Sequence, residues 1–295
     1  ETIRRTVQAL EGSAQPYQLL RIHDVSPLQR QVLVEKHLIS IDLLRHVDGA
    51  AVLLHPDETI SIMINEEDHL RVQTLLPGQA LDEAATLAFA VDDAIGAHVR
   101  YAFDPEWGFL TSCPTNTGTG MRASTMLHLP VLTQAEQMGR VAQAIAKLGL
   151  TIRGLYGEGS TAQGDLYQIS NQITLGRTEQ EMIDMLSTVV QQVAGWEREA
   201  RQTLLQQDRV AVEDQLLRSL GIMERARRMN AKEFMQRWSA LRLASCLDIV
   251  PIQCAKLDQL LVAAQPASLQ QAAGETLDAR QNEEKRAALV RETLA

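Results

Sequence analysis

Strand-like patterns in this 295-residue chain stop at residue 175, and beyond about residue 205 every segment reads as helix. Strands gathered early and helices gathered late are what an α+β unit followed by an all-α unit would show. The break is placed at 207/208, which gives a mixed unit over 1–207 and a helical unit over 208–295. Apolar residues make up 45% of the chain and charged residues 22%, enough apolar material for a sizeable core in each unit. A formal net charge of -9 argues against bulk binding to nucleic acid or to an anionic membrane surface. No apolar run approaches the roughly 20 residues of a membrane span.

Residues 1–10 carry a partial helical pattern. Val32-Leu33-Val34, Ala51 to Leu54 and Thr59 to Ile64 are short β-type runs. The last alternates, with Ile60, Ile62 and Ile64 on one face. Pro77-Gly78 marks a turn. Leu81 to Ala97 has helical spacing, and Phe103 to Gly108 reads as a loop. Gln134 to Leu148 reads as one helix. Thr151 to Tyr156 and Asp165 to Leu175 read as strands, the second with a polar centre at Ser170-Asn171-Gln172. Gly176 ends the sheet, and Thr178-x-x-Glu181 is a capping box that opens a long helix. Asn230-x-x-Glu233 marks another helix start, and Pro251 and Pro266 punctuate the helical remainder. The three cysteines, Cys113, Cys246 and Cys254, have no metal-ligand spacing and cannot all pair. With no signal peptide pattern, a reducing cytoplasm is the expected compartment.

Three segments concentrate chemistry. Thr111 to Leu132 reads T-S-C-P-T-N-T-G-T-G-M-R-A-S-T-M-L-H-L-P-V-L. Gly118 and Gly120 permit positive φ or close backbone approach. Cys113 precedes a loop rich in backbone N–H groups, and Arg122 offers a planar fork for phosphate. The same order also fits a Gly-rich turn beside a buried thiol. Asn65-Glu66-Glu67-Asp68-His69-Leu70-Arg71 comes directly after the alternating strand. Beside a substrate its carboxylates would match guanidinium donors bidentately; in water it is a charged loop. Ile152 to Ser160 places Arg153 in a strand pattern and Glu158 between glycines. Arg153 would face an anionic ligand or pair internally with Glu158. Arg71, Arg122 and Arg153 together would suit a nucleotide triphosphate, since no G-x-x-x-x-G-K-[ST] loop occurs.

N-E-E-D-H-L-R, C-P-T-N-x-G-T-G-x-R-A-S and R-G-x-Y-G-E-G resemble the ATP:guanidino phosphotransferases from about Pro27 to Gln207. H-L-P-V-L and Q-I-S-N-Q-I-T-L-G-R-T-E are closer to the bacterial protein-arginine kinases of that family than to its creatine or arginine kinases. The resemblance implies a large antiparallel sheet flanked by helices, with Glu67 and Glu158 as guanidinium clamp and base and Cys113 as the contacting thiolate. It implies ATP binding by His37, Arg71, Arg122, Ala123, Ser124, Thr125, Met126, Arg153, Gly154, Leu155, Tyr156, Gly157 and Glu158. Mg2+ would arrive with ATP, with no metal held by protein side chains. The helical C-terminal unit corresponds to one that reads phosphoarginine. The family motif R-D-x-x-R-A stands here as Asn282-Glu283-Glu284-Lys285-Arg286-Ala287, degenerate at Asn282 and Glu283 while Arg286 and Ala287 are kept. A leading S-S-R-I-R-L-A-R-N-like segment is absent and the first residue is Glu1, so the chain is expected to begin downstream of the family's start.

The function these features imply is transfer of the ATP γ-phosphoryl group to arginine side chains of proteins, in stress response and protein quality control. The implied partners are a heat-shock transcription repressor as substrate, a zinc-containing activator protein, a Clp ATPase/protease and a second copy in a homodimer, with no membrane and no direct nucleic acid. A free-guanidino kinase and an inactive binding module are the alternatives.

Overall fold

The computed structural model describes residues 1–12, 16–154 and 162–295. The chain forms two compact units, one of 1–123 with 171–187 and one of 124–170 with 188–295. Among the described residues no helix is long and apolar enough to cross a membrane.

The first unit is built on helix α1 (Thr2–Leu10), strand β1 (Gln18–Arg21), α2 (Pro27–Glu35), β2 (Ala51–Leu54), β3 (Ile60–Ile64), β4 (Leu70–Thr74) and α3 (Leu81–Gly96), then a small hairpin, β5 (Phe103–Asp104) and β6 (Gly108–Phe109). β1 to β4 pair in sequence order, antiparallel throughout, with Ile62 opposite Val72 and Met63 opposite Arg71. Every residue of β3 is buried, not only Ile60, Ile62 and Ile64. The alternation is real but both faces are covered. Ile60, Ile62 and Ile64 pack with Leu10, Val91 and Ile95 of α1 and α3, while Met63 packs with Val52, Leu33 and Leu38. Each large apolar side chain so buried contributes about 1.5–3 kcal/mol.

Val32-Leu33-Val34 is helix, not strand. Ser26 caps α2 by accepting the Gln29 N–H at 3.2 Å, and Pro27 occupies its first turn. A cap and a Pro at N1 outweigh the modest β preference of two valines. Likewise Phe103 to Gly108 is a small hairpin and not a loop, because Gly108, at φ 76, closes it.

In the second unit β7 (Ser124–His128) leads into α4 (Pro130–Gln134), α5 (Met138–Ala146), β8 (Leu150–Gly154) and β9 (Leu166–Asn171). β9 lies between β7 and β8 and runs antiparallel to β7. The single helix expected over 134–148 is two. Glu136 turns left-handed at φ 56, and the chain restarts at Met138. The expected strand to Leu175 ends at Asn171, because Ile173 turns its carbonyl to the Asn171 side chain and Thr174 turns its own to the loop around Gly118.

The capping box at Thr178 and Glu181 forms as expected, each side chain taking the other's backbone N–H at 3.3 and 2.8 Å. It opens α6 (Glu179–Arg225), which breaks at Asp208, where φ -157 and ψ 85 leave the helical region. Asp208 accepts the Ala211 N–H at 3.0 Å and so caps the helix that restarts there. α7 (Ala231–Cys246), α8 (Cys254–Ala263), α9 (Pro266–Ala273) and α10 (Ala279–Leu294) complete the unit. Asn230 caps α7 as expected, and Pro266 starts α9.

Phe234, Trp238 and Leu241 of α7 share a core with Val131 and Leu166. A buried polar chain crosses that core. His128 Nε2 lies 2.8 Å from the Ser239 hydroxyl, which donates to the Asp165 carboxylate, and His128 Nδ1 lies 3.4 Å from Arg242 Nη1. Arg242 can only donate, so His128 accepts at Nδ1 and carries its proton on Nε2. Burial, then repulsion from Arg242 and Arg201, holds His128 neutral with a pKa lowered to about 2.

His128 therefore links stability to pH. An unfolded His takes a proton below about 6.5 and the folded one refuses it. Stability is full above that value and is lost as pH falls below it, by at most about 1.4 kcal/mol per pH unit from this one group. Asp165, pushed up by burial, opposes this only over the carboxylate range above 3.8. Urea titrations between pH 7 and 5 are expected to show the decline, and His128→Gln to flatten it.

Candidate active site

In the first unit the β3–β4 turn is set by Asn65, left-handed at φ 59. Its N–H donates to His69 O at 3.0 Å and its side chain to Gly49 O at 2.7 Å. The turn sends its carboxylates in different directions. Glu66 points inward, its side chain only 4% exposed; it accepts from Arg71 Nη1 at 3.0 Å, from the Ser40 hydroxyl and from the Glu67 N–H. Glu67 is exposed. Asp68 accepts the Ser112 N–H at 2.7 Å. That bond ties the turn to the cysteine segment, with Glu67 and Cys113 each one residue from it. Arg71, half-exposed, is thus oriented by a buried carboxylate that it largely neutralises.

The loop after Cys113 is held by close backbone approach. Gly118 sits at φ 113, and a Cβ there would lie 2.4 Å from Thr174 O. A Cβ on Gly108 would lie 2.5 Å from Gly118 O. No other residue type fits either position. The Thr174 hydroxyl serves the carbonyls of Thr115 and Thr117, at 2.8 and 2.7 Å, and Thr174 O accepts the Thr119 N–H at 3.1 Å. Cys113 is half-buried, its Sγ 3.0 Å from the Thr115 hydroxyl.

Arg122 is exposed, and both its neighbours are gripped by one side chain. Asn171, 2% exposed, accepts the Ala123 N–H at 2.7 Å and donates to Met121 O at 3.1 Å and Ile173 O at 3.3 Å. Its own N–H donates to Ala123 O at 3.3 Å. His37 is half-buried in a left-handed turn at φ 58, its carbonyl accepting from Gln73 Nε2 at 2.7 Å. Burial lowers its pKa, so the ring is neutral at pH 7.

In the second unit Ser124, Thr125 and Met126 lie on β7. Ser124 accepts from Gln168 Nε2 at 2.8 Å, Met126 is exposed, and the buried Thr125 hydroxyl has no hydrogen-bond partner among the described residues. Arg153 and Gly154 end β8. Leu155, Tyr156, Gly157 and Glu158 lie outside the described residues. At the C-terminal motif Arg286, 2% exposed, donates to Ala264 O at 2.8 Å, Met229 O at 3.0 Å and Asn282 Oδ1 at 2.6 Å. Glu283 pairs with Arg228 at 2.7 Å, and Ala287 is fully buried.

Residues 1–200 match the family described as ATP:guanido phosphotransferase, C-terminal catalytic domain. The chain belongs to the ATP:guanido phosphotransferase family. Residues 209–295 match a second family, the protein-arginine kinase McsB C-terminal domain. A protein-arginine kinase of Brevibacillus brevis is 47% identical over 299 residues, spanning 100% of this chain and 84% of that protein. One from Moorella thermoacetica is 50% identical over 275 residues, spanning 93% and 79%. Among solved structures, a duplicated taurocyamine kinase from Schistosoma mansoni with bound transition state analog components aligns at TM-score 0.61 and 27% identity, over 67% of this chain and 29% of that one. Lombricine kinase aligns at 0.59 and 26%, over 67% and 58%. The phosphotransferase fold expected from the resemblance, antiparallel sheet with flanking helices and a helical C-terminal region, is what the chain has.

Three residues of this phosphotransferase escape sequence reading: Glu66, Asp68 and Asn171. Asn171 stands in the polar centre of a strand pattern, and a polar residue there needs partners. The other two stand in the same run of acids as Glu67, and a tight turn points each of the three differently.

Asn171→Asp keeps the acceptor for Ala123 but turns a donor into an acceptor facing two carbonyls. Stability is expected to fall by about 1–3 kcal/mol, read as a lower urea midpoint.

Proposed function

We propose that this chain is a protein-arginine kinase that moves the γ-phosphoryl group of ATP onto arginine side chains of polypeptides. The observation that carries this reading is the union, in one chain, of the guanido phosphotransferase catalytic domain and the McsB C-terminal domain, with relatives named protein-arginine kinase at 47–50% identity. The division at 207/208 is proposed to separate catalysis from a helical regulatory unit.

In this reading a guanidinium nitrogen attacks the γ-phosphorus. The N–P bond forms as the bond to the ADP oxygen breaks, and the nitrogen's proton passes to a carboxylate. Glu67, exposed on its turn, and Glu158 are assigned to hold and deprotonate the guanidinium, and Cys113 is assigned to contact it. Arg71, Arg122 and Arg153 would neutralise phosphate charge, Arg71 with its fork set by Glu66. His37 and residues 123–126 and 153–158 are assigned to the nucleotide. Mg2+ would be carried on the nucleotide's phosphates, its usual mode in phosphoryl transfer. The cytoplasmic setting, the homodimer, the repressor substrate, the zinc-containing activator, the Clp ATPase/protease, the roles in stress response and proteolysis and the phosphoarginine-reading role of residues 282–287 belong to the same proposal.

A second reading, phosphorylation of a free guanidino compound, is favoured by the structural likeness to kinases named for taurocyamine and lombricine. Acid-labile phosphate incorporated from labelled ATP decides between the two. The expected result is incorporation into a denatured protein and little into free arginine; equal labelling of both supports the metabolite kinase. Glu67→Gln is expected to lower the rate on protein by about 10²-fold or more, the usual range for removing a general base. Arg122→Ala is expected to lose about 1.5–3 kcal/mol of phosphate binding, read as a weaker Kd for ATP.

A further inference from the structure

Two of the three cysteines lie far along the chain from the candidate active site. Cys246 is the last residue of α7 and Cys254 the first of α8. Their sulfur atoms are 3.4 Å apart, in van der Waals contact, and Cys246 is exposed. Buried cysteines usually act as small apolar fillers, and an exposed thiol resting on a second thiol is not one. Nor is this a metal centre: among the described residues no group of three or more His, Cys, Asp or Glu side chains could hold an ion.

The surrounding geometry suits a covalent link. α7 and α8 are already joined one turn away by Arg242 and Asp258, 2.8 Å apart, so 242–258 and 246–254 are successive rungs between two helices. The 247–253 connection is fixed at both ends. The Ser245 hydroxyl donates to Ile252 O and lies 3.2 Å from Cys254 Sγ, while Ile249 N–H returns to Ala244 O at 3.0 Å. A disulfide needs its sulfurs at about 2.05 Å, a closure within reach of side-chain rotation, and a chain held this way loses little further freedom when it closes.

We propose that Cys246 and Cys254 form a reversible redox pair, which a peroxide oxidises to an intramolecular disulfide stapling α7 to α8. Cys246, the exposed thiol, attacks the peroxide O–O bond and becomes a sulfenic acid, releasing the first water. Cys254 sulfur displaces that hydroxyl, which leaves with the Cys254 proton as the second water. Two thiols are oxidised by two electrons and one peroxide is reduced to two waters; an external dithiol reverses the step. Burial, and then Cys254 itself, push the Cys246 thiol up, against the pull of Arg201 and Arg242.

The test is thiol titration of the whole chain before and after hydrogen peroxide, with peptide mapping of the product. The reduced chain holds three thiols. The expected result is loss of the 246 and 254 thiols together, a linked peptide containing both, a monomer on a non-reducing gel and full recovery with dithiothreitol. Cys246→Ser is expected to leave Cys254 titratable, and Cys254→Ser to stop Cys246 as a sulfenic acid trapped by dimedone. Both thiols persisting at peroxide levels that consume Cys113, Cys246 overoxidised with Cys254 intact, or a disulfide between two chains would each overturn the proposal. The readout on the unmutated chain does not depend on catalytic activity, so it stands or falls separately from the kinase reading.

Discussion

Much of the arrangement around Arg122 rests on the buried amide of Asn171. An amide is the one neutral side chain that can accept from one backbone group and donate to two others at once. Here it accepts from the residue after Arg122 and donates to the residue before it. The main chain on both sides of the arginine is thus held by one side chain. Thr174, three residues on, does the same for the cysteine loop with a single hydroxyl shared between two carbonyls. One short segment, 171–174, therefore fixes both the main chain around Arg122 and the loop that follows Cys113.

On the β3–β4 turn the same economy is made with charge. Glu66 is almost fully buried, which would be costly for an unpaired carboxylate. Arg71, the Ser40 hydroxyl and a backbone N–H fill its lone pairs. The result is a cation with a fixed direction beside an exposed carboxylate, Glu67, that has no structural duty among the described hydrogen bonds. Asp68 then binds this turn to the segment of Cys113. Three consecutive acids do three different things because a tight turn aims each one differently.

Sequence shows local structure and stops short of long-range pairing. The alternation at Ile60, Ile62 and Ile64, the helix over 81–96, the capping box at Thr178 and the helix start at Asn230 depend on neighbours within four residues, and they are legible. Val32 to Val34 misleads because its own preference is conspicuous and the cap six residues upstream is not. The charged segment 65–71 can be picked out as a site, but not its division of labour, since Glu66 is chosen by Ser40 and Arg71 across a turn. Gly118 can be flagged as a close approach, yet its partner Thr174 lies on a distant segment that only the fold brings near. Long-range pairing, and not local propensity, is what the letters leave out.

Arg286 brings a further consequence. Its guanidinium reaches the carbonyl at the end of α8, the carbonyl of Met229 just before α7 and the side chain of Asn282, one turn earlier on the same face of α10. A lysine, with one small charged head, could not span three acceptors set in three directions. An arginine at 282 would place a second cation where the first now finds its oxygen. Asn282 and Arg286 therefore act as a couple: a residue at 282 with no acceptor would take away one of the three oxygens that hold the kept arginine.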